Sequence, residues 1–335
     1  METIEILQIC WFFLIGILFT GYSVLDGFDL GIGSLMPFLA RADEKKELIL
    51  INSIGPVWDG NKVWLITAGG ALFAAFPHAY ATVFSGFYMA MMLVLFGLIF
   101  RAVSMKFYTL EPERRRLWSF AFFLGSTIPA ILFGVALGNV IVGVPLDSAM
   151  EFRGNFFTLL RPFPLIIGLL GFTAILMQGA VYAALKTEDE LQQDARSAAT
   201  KILYAYFAML VAAIIASFIF MPQNMGILPA WISTAITLVA LFMLKKSIAE
   251  GKDFKSFVYS SLAFLSLWGI AGSVQFPNLV EATGGSDLNI TIYNASSGIL
   301  TLSIMLGIAL IGMPVVIAYS IYVYRIFRGK VTLNS

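Results

Sequence analysis

Long apolar stretches alternate with short polar ones along the whole chain. The apolar stretches cover residues 6–38, 47–76, 80–107, 117–143, 162–186, 199–221, 228–248, 256–276 and 298–325. Each is about the 20 residues or more that a membrane-crossing helix requires. Several run longer, which predicts tilt or extension past the hydrocarbon. The pattern predicts an all-α polytopic membrane protein with nine transmembrane helices.

The polar positions give this bundle a direction. Basic residues follow every odd-numbered span. Arg41, Lys45 and Lys46 follow the first, and Lys106, Arg114, Arg115 and Arg116 the third. Lys186, Arg196 and Lys201 follow the fifth, and Lys245, Lys246, Lys252 and Lys255 the seventh. Arg325, Arg328 and Lys330 follow the ninth. These loops hold 17 of the 21 Lys and Arg residues, and the opposite face holds only Arg153 and Arg161. Basic loops stay in the cytoplasm. The N-terminus is thus expected on the periplasmic side and the C-terminus in the cytoplasm.

Composition agrees with the membrane class: 59% of residues are hydrophobic and 12% charged, about half the charged share of a soluble domain. A net charge of +1 with no basic stripe speaks against nucleic acid. The single cysteine, Cys10, excludes an internal disulfide. Glu2 and Glu5, with no preceding Lys or Arg, do not read as a secretory signal.

A weak internal repeat lies beneath the nine spans. Ile15-Gly16-Ile17-Leu18 and Ile167-Gly168-Leu169-Leu170 are 152 residues apart, and the same offset sets Asp26-Gly27 over Gln178-Gly179. The expected organisation is two four-helix bundles, 1–143 and 144–276, then an extracytoplasmic loop at 277–297 and a peripheral ninth helix with its tail at 298–335. An acid in the first unit then stands where the second has a neutral amide, which assigns the charge chemistry to the first half.

Candidate chemistry concentrates in the first three spans, where Asp26, Asp29, Asp59, Lys62 and Arg101 fall within apolar runs. Ionised groups in hydrocarbon cost several kcal/mol each, so they line pathways or pair internally. Asp26 and Asp29 share a helix face, as do Asp59 and Lys62. Asp26 and Asp59 fall at about the same depth on either side of the loop from Arg41 to Glu47. Two readings stay open: an Asp59–Lys62 or Asp–Arg101 ion pair that locks helices together, or a proton path open to the cytoplasm. Nearby glycines at 21, 27, 31, 33, 55 and 60 allow close helix approach or local unwinding. Trp58 and Trp64 flank Asp59, either as core packing or as the wall of a cofactor, quinone or gas site. The lone histidine, His78, falls at an outer turn, too little to ligate several haems. No Cys/His metal spacing, phosphate loop or nucleophile–base arrangement stands out, so the chain does not read as a complete enzyme.

Two long motifs carry a family resemblance. Residues 24–33, VLDGFDLGIG, and 51–77, INSIGPVWDGNKVWLITAGGALFAAFP, resemble subunit II of the cytochrome bd-type quinol oxidases. So do Phe84 to Tyr88, Gly134 to Asn139 with Gly143 to Pro145, Gly154 to Phe157 and Gln178 to Ala180. The resemblance implies the haem-free subunit of a bacterial inner-membrane terminal oxidase. Its partner, subunit I, is then expected to carry haem b and haem d, to oxidise quinol near the outer face and to reduce O2 to water. The proton gradient then arises by charge separation without pumping. The resemblance also implies that subunit II stabilises subunit I and delivers cytoplasmic protons through the acid matching Asp59. The wall matching Trp64 is associated with oxygen access. A structural quinone and a small single-helix accessory subunit are further expectations. The rival readings are a secondary transporter with midplane carboxylates and a purely structural scaffold subunit.

Overall fold

The computed structural model describes residues 2–331. The first span is α1 (Thr3–Ala40), a single 38-residue helix with the Glu2 and Glu5 side chains forming a reciprocal cap at its start. It ends in two residues of positive φ, Arg41 and Ala42. Asp43 then caps α2 (Glu44–Ile54), accepting from the backbone N–H of Lys45 and Lys46.

The second apolar stretch is not one continuous helix. It breaks at Gly55-Pro56-Val57 and resumes as α3 (Trp58–Ala75). Pro56 supplies no N–H and would crowd the carbonyl four residues earlier, which accounts for the break. After α3 the axis turns by 120° at Phe76-Pro77 into the short α4 (Pro77–Gly86). Then follow α5 (Tyr88–Leu110), α6 (Arg115–Val142), α7 (Pro162–Lys186), α8 (Asp189–Phe220), α9 (Leu228–Ala249), α10 (Asp253–Gln275) and α11 (Ile299–Ile326). Between α10 and α11 a small antiparallel ribbon pairs β1 (Asn278–Val280) with β2 (Ile290–Thr291). Among the described residues eight helices are long and apolar enough to span a membrane, and α3 with α4 qualifies only as a bent pair.

Ion pairs and hydrogen bonds gather the basic loops at one end of the bundle. Arg115 pairs with Glu44, Lys46 with Glu190, and Arg196 with Asp253. Lys330 Nζ donates to the Thr187 carbonyl at 2.9 Å. The other end is joined through Gln8 and Ser296, the Ser297 N–H and the Ala75 carbonyl, and Val144 and Ala282.

The helix α1 runs through the middle, packed on α3, α6, α7 and α10. Its seam with α7 is backbone to backbone. A Cβ on Gly31 would sit 2.7 Å from the Gly179 Cα, and one on Gly179 would sit 2.6 Å from the Gly31 Cα. Small residues let helices approach this closely where lipid gives no hydrophobic drive. Beside the seam Phe28 stacks on Tyr182 at 3.8 Å. The largest apolar core extends from Phe28 through α7 to Leu203 and Tyr206 of α8. In contrast, α11 buries one side chain, Leu302.

Candidate functional site

One charged cluster lies inside the bundle. Asp26 and Asp29 on α1 face Arg101 on α5, and all three side chains are 0% exposed. Arg101 Nη1 is 3.5 Å from Asp26 Oδ1, and Nη2 is 3.9 Å from Asp29 Oδ2. These are ion-pair distances beyond direct hydrogen bonding. Both Asp26 oxygens, Asp29 Oδ1 and all three guanidinium nitrogens lack a hydrogen-bond partner among the described residues, as does the buried Tyr22 hydroxyl. Arg101 reaches α1 because α5 lies tight on α6: a Cβ on Gly125 would be 2.8 Å from the Arg101 backbone nitrogen. The Phe122 ring closes the side of the guanidinium at 5.9 Å.

Asp59 is not in this cluster. The break before Trp58 puts it in the first turn of α3, with its side chain on the exposed flank of the chain. Free N–H groups and the helix dipole at an N-terminus favour a negative charge there. Lys62 makes no ion pair with Asp59 among the described residues; its ammonium lies over the Trp58 ring, 4.6 Å from the centroid. Trp58 opens α3 instead of lying midway along a span. Trp64 covers α1 at Gly21, where an added Cβ would come within 2.5 Å of the ring.

The residue of α3 that reaches the acids is Asn61. Its Nδ2 donates to Asp29 Oδ2 at 2.9 Å and to the Leu25 carbonyl at 3.1 Å, while its Oδ1 accepts from the Tyr324 hydroxyl of α11 at 2.7 Å. Neither Asn61 nor Tyr324 was singled out by charge or motif. An amide two residues after Asp59 inside an apolar run was the available signal for Asn61. Tyr324 had none, because its contact spans 263 residues of sequence. Tyr22, one turn before Asp26, was foreshadowed by helical spacing alone.

The amide matching Asp26 in the second half is fully engaged. Gln178 is buried, accepts from Ser260 Oγ at 2.5 Å and donates to Ser261 Oγ at 2.8 Å. The unpartnered polar atoms of the two matched positions therefore lie at the acid. His78 sits in the first turn of α4, and among the described residues no three His, Cys, Asp or Glu side chains gather as a metal site.

Residues 7–327 match the family model for cytochrome bd terminal oxidase subunit II. A cytochrome bd-I ubiquinol oxidase subunit 2 of Escherichia coli strain K12 is 35% identical over 364 residues, covering 98% of this chain and 96% of that one. A cytochrome bd ubiquinol oxidase subunit 2 of Bacillus subtilis is 33% identical, with 96% of each chain covered. A solved bd oxidase from Geobacillus thermodenitrificans shares the fold, with a TM-score of 0.81 at 16% identity, covering 96% of this chain and 98% of that one. On the strength of the family match along almost its whole length, this chain belongs to the cytochrome bd terminal oxidase subunit II family.

Proposed function

We propose that this chain steadies the haem-bearing subunit I and conducts cytoplasmic protons toward the site where that subunit reduces O2 to water. As a family member the chain is a multi-pass subunit of a quinol-oxidising terminal oxidase in the bacterial inner membrane. In our reading it crosses nine times, the broken α2–α3 stretch counting as the second crossing, with the N-terminus outside and the basic loops in the cytoplasm. The 1–143 and 144–276 halves form two four-helix units beside α11. Haem b, haem d and the quinol site belong to the partner, and the gradient arises by charge separation. A structural quinone and a small accessory helix are compatible with this arrangement.

The observation that carries the reading is the exposure of Asp59 in the middle of an apolar stretch. A bare carboxylate facing lipid costs several kcal/mol. A protein surface with a polar path covers it more cheaply, and subunit I is the partner the family supplies. Asp59 is then the hand-off point at the subunit boundary. Asp26, Asp29 and Arg101 form a buried store behind it: two carboxylates and one guanidinium are neutral with one proton. Lys62 holds Trp58 at the mouth, and Trp64 forms the wall on α1.

The test is Asp59→Asn in the whole complex. We expect normal assembly and haem content, slow turnover, and proton uptake that lags electron injection. Parental turnover would remove Asp59 from the path. Solute uptake by haem-free protein in liposomes would favour a transporter instead. Parental turnover with every acid of the set neutralised would leave a scaffold.

A further inference from the structure

The last helix, α11, buries one side chain, yet it is tethered at both ends. Near its start the Leu302 carbonyl accepts from Trp11 Nε1 at 3.1 Å. At its far end Lys186 of α7 donates to the Phe327 carbonyl at 2.5 Å and to the Gly329 carbonyl at 3.3 Å. The Val331 N–H returns to the Lys186 carbonyl at 2.8 Å. Tyr324 lies three residues, just under one turn, before Phe327, so these tethers hold the end of the helix that carries it.

The Tyr324 hydroxyl meets an amide whose orientation is determined. Both neighbours of Asn61 Nδ2, the Asp29 carboxylate and the Leu25 carbonyl, can only accept or accept best. The NH2 group must face them, and Oδ1 must face Tyr324, which donates. A rotated amide would set an oxygen against a carboxylate and a carbonyl.

We propose that Tyr324 and Asn61 act as paired positioning residues, a clamp from α11 through α3 to α1 that holds Asp29 and the first turn of α3 carrying Asp59. The inference rests on the proton-path reading above. Asn61 holds Oδ2, the Asp29 oxygen that lies 3.9 Å from Arg101 Nη2, and Oδ1 is left without a hydrogen-bond partner among the described residues. The same amide joins α3 to α1 just after the helix break, in the turn next to Asp59. Phe28 and Tyr182 pack around the clamp; the Phe28 ring stands edge-on to Tyr324 at 6.4 Å.

The experiment is Tyr324→Phe in the complete oxidase, which keeps the ring and deletes the donor. Haem content and the quinol KM should stay parental. The kcat should fall about five-fold, the equivalent of one ordinary hydrogen bond of about 1 kcal/mol. Proton uptake should be delayed after electron injection. Asn61→Leu should lower kcat further, again with haem retained. In an Asp29→Asn background Tyr324→Phe should have little additional effect, because both act through the same carboxylate. A parental kcat in Tyr324→Phe, or a loss that adds in full to that of Asp29→Asn, overturns the clamp. If Asp59→Asn and Asp29→Asn slow turnover while Tyr324→Phe does not, only the clamp fails. If both acid variants turn over normally, the proton path fails and the clamp with it.

Discussion

Removing Arg101 should damage the subunit through charge, and removing the acids with it should repair most of that damage. In Arg101→Met the aliphatic length is kept but Asp26 and Asp29 lose the cation at 3.5 and 3.9 Å. At an effective dielectric constant near 20, contacts of that length are worth roughly 4–5 kcal/mol each before desolvation is counted. Breaking a buried pair by deleting one partner costs about 3–5 kcal/mol in practice. Folded chains hold only about 5–15 kcal/mol of net stability. Arg101→Met should therefore give a low yield of complex, reduced haem per protein and a lower melting temperature in detergent. The triple variant Arg101→Met, Asp26→Asn, Asp29→Asn carries no charge in the cluster. It should recover most of the yield and haem content, while the proton-path reading expects turnover to stay low. Parental yield and melting in Arg101→Met would refute the electrostatic account. A triple variant no better than the single one would show that Arg101 acts by shape alone.

Two further outcomes follow from local geometry. Gly179→Ala places a methyl 2.6 Å from the Gly31 Cα and closer still to the Gly31 carbonyl carbon, so α1 and α7 must part by about 1 Å to regain ordinary contact at 3.4 Å. Overpacking of this kind costs about 1–3 kcal/mol; the melting temperature of the complex should fall, whereas Gly272→Ala, with nothing within 4 Å, should not lower it. In the loop between α6 and α7, the Glu151 N–H, then the Arg153 side chain, hold the Asp147 carboxyl below its usual range. A lowered folded value means the contribution is present above about pH 4, the ordinary carboxylate range, and is lost as pH falls through the folded value. Amide protection in residues 145–153, measured against the intrinsic exchange rate at each pH, should thus fall only in acid, and Asp147→Asn should remove that dependence.

Much of the architecture was legible in the order of residues. Long apolar runs must satisfy their own backbone hydrogen bonds in lipid, so they read as helices wherever they occur. Loop charge and the family motifs are likewise local. The second stretch was the exception: Gly55-Pro56 was in plain view, but apolar continuity outweighed it, and the expected single helix divides there. That division separates the two acids first read as a pair. Asp59 opens a helix on the flank, while Asp26 stays inside.

What belonged to the sequence alone was which groups are chemically dangerous in a membrane: Asp26, Asp29, Asp59, Lys62 and Arg101. Burial cost depends on residue type and on the surrounding apolar run, and both are written along the chain. Which of these groups meet was decided only by packing. Arg101 joins Asp26 and Asp29 because the close fit of α5 on α6 carries it to α1, and Lys62 turns to Trp58. Asn61 and Tyr324 meet only because the helices that carry them are brought together across 263 residues of sequence. No periodicity along one helix reports such a meeting, because a hydrogen bond depends on distance and angle in space, and those exist only once the helices are packed.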